Sequence, residues 1–276
     1  MINPIYYKSN LSTTEDSSRG PSANIWGDCP VLEIIRDPGK GVHFFDDFIA
    51  TPDVAAGAEA VYGIYKGFAS TGGSVAEGAS IFGEKTLSSD GDNEGASLAT
   101  VSKPFKIARG QGRFWFECRV KVGITNITTT DNKHGTFVGL IDTSTLSATV
   151  PIAAAGTLAD ENFVGFHQLE GDSDKFDTVY KADGVTQVTV GADAVTIADD
   201  TYVKLGMVFD PNTYKLTFFK NGVVLADSYT VVAAAGTDFP NDVNMGLVVA
   251  VLNATATTPG SSSIDWWRAA QLVAGG

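Results

Sequence analysis

The stretch from Thr201 to Val232, TYVKLGMVFDPNTYKLTFFKNGVVLADSYTVV, constrains the fold more than any other part of the chain. Apolar and polar residues alternate through Tyr202, Val203, Leu205, Met207, Val208 and Phe209, and again through Tyr214, Leu216 and Phe218. That period of two is the mark of strands with one buried face. An Asp-Pro-Asn turn separates the first two runs, and Asn221-Gly222 between the second and third supplies the positive φ of a tight hairpin. Three consecutive antiparallel strands are therefore expected.

The same pattern extends over most of the chain. It opens at Gly41 with GVHFFDDF and returns at 61–70, 97–106, 113–122, 136–141, 162–169, 176–181, 187–190, 244–252 and 263–273. Thirty glycines and a charged fraction of only 18% suit many short strands joined by tight turns. In RFWFECRVKV (113–122), Phe114, Phe116, Cys118, Val120 and Val122 share one face, and Trp115, Glu117, Arg119 and Lys121 the other. The first face is core, the second solvent or a groove. The Ala-rich pieces 146–158 and 231–236 are broken by Pro151, Gly156 and Gly236 and read as long loops, covered because their polarity is low. The expectation is an all-β, two-sheet antiparallel jelly-roll sandwich over 45–276.

Residues 1–44 are different and read as an extended N-terminal arm. Prolines at 4, 21, 30 and 38 and glycines at 20, 27, 39 and 41 exclude a continuous helix or a central strand. Yet Tyr6, Tyr7, Ile25, Trp26, Val31, Leu32, Ile34 and Ile35 make the segment too apolar for a disordered tail. Two readings are open: an extra edge strand on its own domain, or a clasp on a neighbouring subunit with Trp26 and the run Val31, Leu32, Ile34 and Ile35 as anchors.

A net charge of −13 and a pI near 4.5 argue against nucleic acid and anionic membrane as partners. No apolar run approaches the ~20 residues needed to cross a bilayer. The N-terminus lacks the basic and apolar regions of a secretory signal, so folding in a cytoplasm is expected. Cys29 and Cys118 make no disulfide framework, and whether they pair stays open.

Candidate chemistry is sparse. Glu170-Gly171-Asp172-Ser173-Asp174 carries closely spaced carboxylates, but in a Gly/Ser/Asp-rich turn. Glu117 and Arg119 sit two apart on one strand face, as a surface ion pair would. His43, His134 and His167 are isolated. The loop Asp90–Glu94 begins like an EF-hand with Gly95 in sixth place, but position twelve is Val101, not Glu. Ca²⁺ there or at 172–177 competes with a solvated acidic turn, and no cofactor is expected. Of Trp266-Trp267, one indole packs in the core while the other shields a sheet edge or stacks on a sugar.

GRFWFECRVKV (112–122), 201–208, YKLTFFKNGVV (214–224) and IDWWRAAQLV (264–273) together resemble the concanavalin A-like lectin/glucanase superfamily. The resemblance implies a jelly roll over roughly 45–276. Hydrolases of that family carry Glu-x-Asp-x-Glu on one strand, absent here, so no enzymatic activity is expected. An arm ahead of such a domain is similar to the virion structural proteins of tailed bacteriophages. It implies a capsid decoration or cement protein, assembled in the host cytoplasm and bound as a homo-oligomer to the major capsid protein or other virion subunits. The alternative is a carbohydrate-binding module of a tail or fibre protein, with a glycan as partner.

Overall fold

The computed structural model describes residues 18–80, 82–124, 134–143, 145–153, 157–168, 174–230, 238–253 and 260–274. Two short helices, α1 (Ala23–Trp26) and α2 (Val31–Arg36), precede β1 (Gly41–Asp46), β2 (Glu59–Tyr62), β3 (Tyr65–Ala69), β4 (Gly73–Glu77), β5 (Lys85–Ser89) and β6 (Glu94–Thr100). Then follow β7 (Phe114–Ile124), β8 (His134–Ile141), β9 (Phe163–Gln168), β10 (Lys175–Lys181) and β11 (Val188–Thr196). The chain closes with β12 (Val203–Asp210), β13 (Lys215–Lys220), β14 (Val223–Thr230), β15 (Gly246–Asn253) and β16 (Gly260–Leu272).

The strands form two eight-stranded antiparallel sheets. Sheet I runs β14-β13-β12-β7-β16-β5-β4, and sheet II runs β11-β10-β9-β8-β15-β6-β3-β2. β16 is long enough to pair with β7 along one side and with both β5 and β1 along the other, β5 at Gly260–Ile264 and β1 at Trp267–Leu272. The inward faces meet in one core containing Phe114, Phe116, Cys118, Met207, Phe218, Phe166, Leu247 and Trp267. This is the jelly-roll sandwich expected from the period-two pattern. The hairpin signal holds in detail, with Asn221 at φ 49° and Gly222 at φ 77°. Cys29 and Cys118 are unpaired, and Cys118 is buried in the core.

Some elements differ from the sequence reading. The run 61–70 is a hairpin, β2 and β3, turning at Gly63 with φ 59°. β4 and β5 were not anticipated. β1 begins at Gly41, so the strand straddles the boundary drawn after residue 44.

The arm over 18–36 is neither extended nor an edge strand. It lies across the outer face of sheet I as two helical turns. α2 starts after Pro30, carries Glu33 in its first turn and Arg36 in its last, and so matches charge to the helix dipole. It stops because Asp37 precedes Pro38 and is held extended, φ −134° and ψ 98°. Tyr6, Tyr7 and the rest of 1–17 lie outside the described residues.

Candidate functional site

The most elaborate polar constellation lies between the arm and the outer face of sheet I. Glu117 of β7 faces outward, flanked by Gly206 of β12 and Arg268 of β16. Its carboxylate is completely buried. Oε2 accepts the Ser22 backbone N–H at 2.9 Å and the Trp26 Nε1–H at 2.8 Å. Ile25 drops its Cδ1 over Gly206, where a Cβ would stand 2.4 Å away, so any larger residue there would force the Ile25 side chain to move. Trp26 lies under the Arg268 guanidinium, 4.3 Å from the ring centre. Ile25, Trp26 and Ile34 thus form a small second core with Trp115, Val208, Phe219 and Ala270.

Further bonds tie the arm down along its length. Trp115 Nε1 donates to Asp28 Oδ1 at 2.8 Å, and Arg113 pairs with the other oxygen of the same carboxylate at 2.7 Å. Lys204 Nζ donates to the Gly20 carbonyl at 2.9 Å, and Trp266 Nε1 to the Arg19 carbonyl at 2.6 Å. A β-bulge between Ile264 and Trp266 turns Asp265 to the outer face beside Trp266. There it bridges Arg19 at 2.8 Å and Arg119 at 2.7 Å. Arg119 also stacks 3.8 Å from the Tyr202 ring centre, and the Tyr202 hydroxyl donates to Glu84. Burial, followed by the Glu84 contact, pushes the Tyr202 phenol well above its ordinary range.

These contacts correct several expectations. Trp26 and Ile34 are buried in the chain's own domain and are not free anchors for a neighbour. Val31 is half-buried beside them, whereas Leu32 and Ile35 point away, 66% and 60% exposed. Glu117 forms no ion pair with Arg119, whose partner is Asp265. Both indoles of Trp266-Trp267 are buried: Trp267 in the core, donating to the Tyr65 hydroxyl, and Trp266 beneath the arm.

Sheet II closes its outer face in another way. Leu146, Ile152, Leu158 and Ala159 of the Ala-rich loop pack on Phe137, Phe163, Val248 and Leu252. Among the described residues no strand holds two carboxylates two positions apart. The candidate acids Glu170 and Asp172 lie outside the described residues; Asp174 pairs with its neighbour Lys175 at 3.4 Å. His134 and His167 are fully buried. His134 bonds Asn253 and Ser262 between the sheets, and burial lowers its pKa to about 4. His43 accepts from Arg268 Nε at 3.1 Å.

The Asp90–Glu94 loop is the β5–β6 turn, with Asp92 bonded to Asn93 and Asn93 at φ 53°. Among the described residues no three His, Cys, Asp or Glu side chains converge as metal ligands. One hollow of about 450 Å³ lies open on sheet I, lined by Thr71, Ser74, Ser88, Asp90 and Ser261. Ser74, Ser88, Ser261 and Gly123 form one row across four strands, with Ser74 and Ser88 joined at 2.7 Å.

With two such sheets in this strand order, the chain has the concanavalin A-like lectin/glucanase fold. Solved structures similar to it include a protein of unknown function from Shewanella oneidensis MR-1, at TM-score 0.54 and 12% identity over 86% of this chain and 89% of that one. The carbohydrate recognition domain of Emp47p matches at TM-score 0.52 and 9% identity, over 84% of this chain and 97% of that one. An endo-1,3-beta-glucanase from Streptomyces sioyaensis matches at TM-score 0.50 and 14% identity, over 86% and 98%. At these identities the likeness is one of fold alone. No protein-family model and no curated protein sequence matches the chain.

Proposed function

We propose that the chain is a non-enzymatic virion structural protein of a tailed bacteriophage, a decoration or cement protein on the capsid. The virion assignment rests on the sequence pattern of an arm ahead of this jelly roll. The observation that carries a structural role is how the sandwich uses its two outer faces. The chain's own segments pack on both, residues 18–36 over β7, β12 and β16 of sheet I and the Ala-rich loop on sheet II, and leave the hydroxyl-lined hollow open beside β4 and β5.

Contact with a capsid or neighbouring subunit then falls to what the docked arm leaves outside. Leu32 and Ile35 of α2 stand exposed beside β1, whose Phe45 is half exposed. An apolar helical face next to an edge strand fits a protein partner better than water. The test is co-sedimentation with intact particles. Leu32→Asp combined with Ile35→Asp should leave the melting curve unchanged and abolish co-sedimentation. Full retention on the particle refutes this attachment.

The second reading, a glycan-binding module, is favoured by the hydroxyl-lined hollow at Ser74, Ser88 and Ser261. Glycan-array binding lost in Ser88→Trp would select it over the first.

A further inference from the structure

We propose that Glu117 is a proton-controlled latch: it holds residues 18–36 on sheet I when protonated and loosens them when it ionises. The proposal goes beyond particle attachment and does not depend on it, since it concerns the isolated chain.

The geometry is unbalanced in a particular way. Two donors bond the carboxylate, the Ser22 backbone N–H and the Trp26 indole N–H, and both meet at Oε2; the Ser22 hydroxyl lies beside the carboxyl, itself buried and without a hydrogen bond. Oε1 is buried and accepts no hydrogen bond. A carboxylic acid tolerates this better, because the charge is gone and its O–H has the neighbouring Ser22 hydroxyl as an acceptor. A carboxylate does not, because half of a delocalised negative charge would sit in a dry interface with a single hydroxyl, that of Ser22, to meet it.

The charged groups around the site do not supply the missing partner. On β12, Lys204 lends its attraction from a distance while its Nζ donates to Gly20. On β16, Arg268 is stacked on Trp26 and donates to His43 of β1. On β7 itself, Arg119 is committed to Asp265 and Arg113 to Asp28 in the turn after α1. Among the described residues none forms an ion pair with Glu117.

Burial accordingly raises the Glu117 pKa, and the Ser22, Lys204 and Trp26 contacts only partly offset it. Once the arm lifts, water reaches the carboxyl and its pKa returns to the ordinary range. The docked-state pKa is therefore the higher of the two. The docking free energy is fully present below the ordinary carboxylate range and is lost as pH rises through the docked-state pKa. With the arm docked neither neighbour titrates in that interval, because burial lowers His43 to about 4 and raises Cys29 to about 12; a return of His43 toward 6.5 on opening would strengthen docking as pH rises, the opposite sign to Glu117.

Opening would expose together everything the interface now hides: Ile25, Trp26 and Ile34 on the arm, and Trp115, Val208 and Phe219 on the sheet. The apolar residues singled out as anchors would then become available to a neighbour only after the latch lets go.

Hydrogen exchange on the intact chain tests this. Above the docked-state pKa, protection factors of the Ile25 and Trp26 amides, corrected for intrinsic exchange, should fall by up to about tenfold per pH unit. Val249 in the centre of sheet II should stay constant. Glu117→Gln, neutral at all pH, should keep the arm protected throughout. A flat wild-type profile overturns the proposal, as does a Glu117→Gln profile parallel to wild type. The wild-type Glu117 carboxyl carbon, followed by NMR, gives an independent arm. It should titrate over the pH range in which protection falls; titration in the ordinary carboxylate range also overturns the proposal.

Discussion

Replacing Trp26 by alanine should do what removing a core residue does, although the residue belongs to a segment that reads as a surface arm. Trp26 is only 8% exposed. Its ring is covered by Arg268, and its indole nitrogen supplies one of the two hydrogen bonds to Glu117. Truncating a buried Trp to Ala costs about 3–5 kcal/mol, a range that includes the cavity left behind. α1 is only four residues long, so it has little structure of its own to keep it in place. At about 2 °C of melting temperature per kcal/mol for a domain of this size, the loss reads as roughly 6–10 °C. Scanning calorimetry measures the shift, and amide exchange at Ile25 shows whether the arm leaves first. Trp26→Phe separates two terms. It keeps most of the packing but removes the N–H, and should cost about 1–3 kcal/mol through the weakened contact to buried Glu117. A Trp26→Ala protein with a melting temperature within 1 °C of wild type (roughly 0.5 kcal/mol) and unchanged exchange at Ile25 would refute the reading of the arm as part of the fold.

Gly206→Ala drives a methyl group toward Ile25 Cδ1 and should destabilise by about 1–3 kcal/mol through overpacking; Ile25→Ala in the same chain should relieve part of that, a non-additivity that a double-mutant cycle in urea measures. Asp265→Asn leaves Arg19 and Arg119 without their shared carboxylate. Breaking such a pair costs about 3–5 kcal/mol when fully buried, and the lower end is expected because the Arg19 side chain is 40% exposed. His134 is buried neutral with its pKa lowered from 6.5 to about 4. The unfolded chain therefore takes up the proton first, and stability present above pH ~6.5 should be lost as pH falls toward 4, on the order of 3 kcal/mol. Thermal melts against pH should show that slope in wild type and a shallower one in His134→Asn.

The strands that carry strong alternation were legible at once, because a period of two with bulky inward residues has few other solutions. β12 to β14 are the plainest case, with Asn221-Gly222 fixing the turn. β4 and β5 carry no such signal, for a physical reason. Their sequences, GSVAE and KTLSS, offer one bulky inward side chain each, Val75 and Leu87, and β5 begins with a lysine that the fold buries against Asp53. Short, small-residue strands acquire their stability from neighbours that sequence distance conceals, in this case β16.

Local sequence alone determined that this chain is an all-β sandwich, that 18–40 cannot form one helix, and which face of β7 points inward. It could not determine what the outward face of β7 meets. Glu117 alternates correctly with Phe116 and Cys118 and looks like a solvated residue, yet it is the most enclosed carboxylate in the described structure. The difference comes from Ile25 and Trp26, about ninety residues earlier in the chain. They find there a glycine notch at Gly206, a stacking cation at Arg268 and an acceptor in Glu117. Alternation reports which side of a strand a residue occupies; whether water or another segment covers that side is settled only when three strands and a distant arm come together.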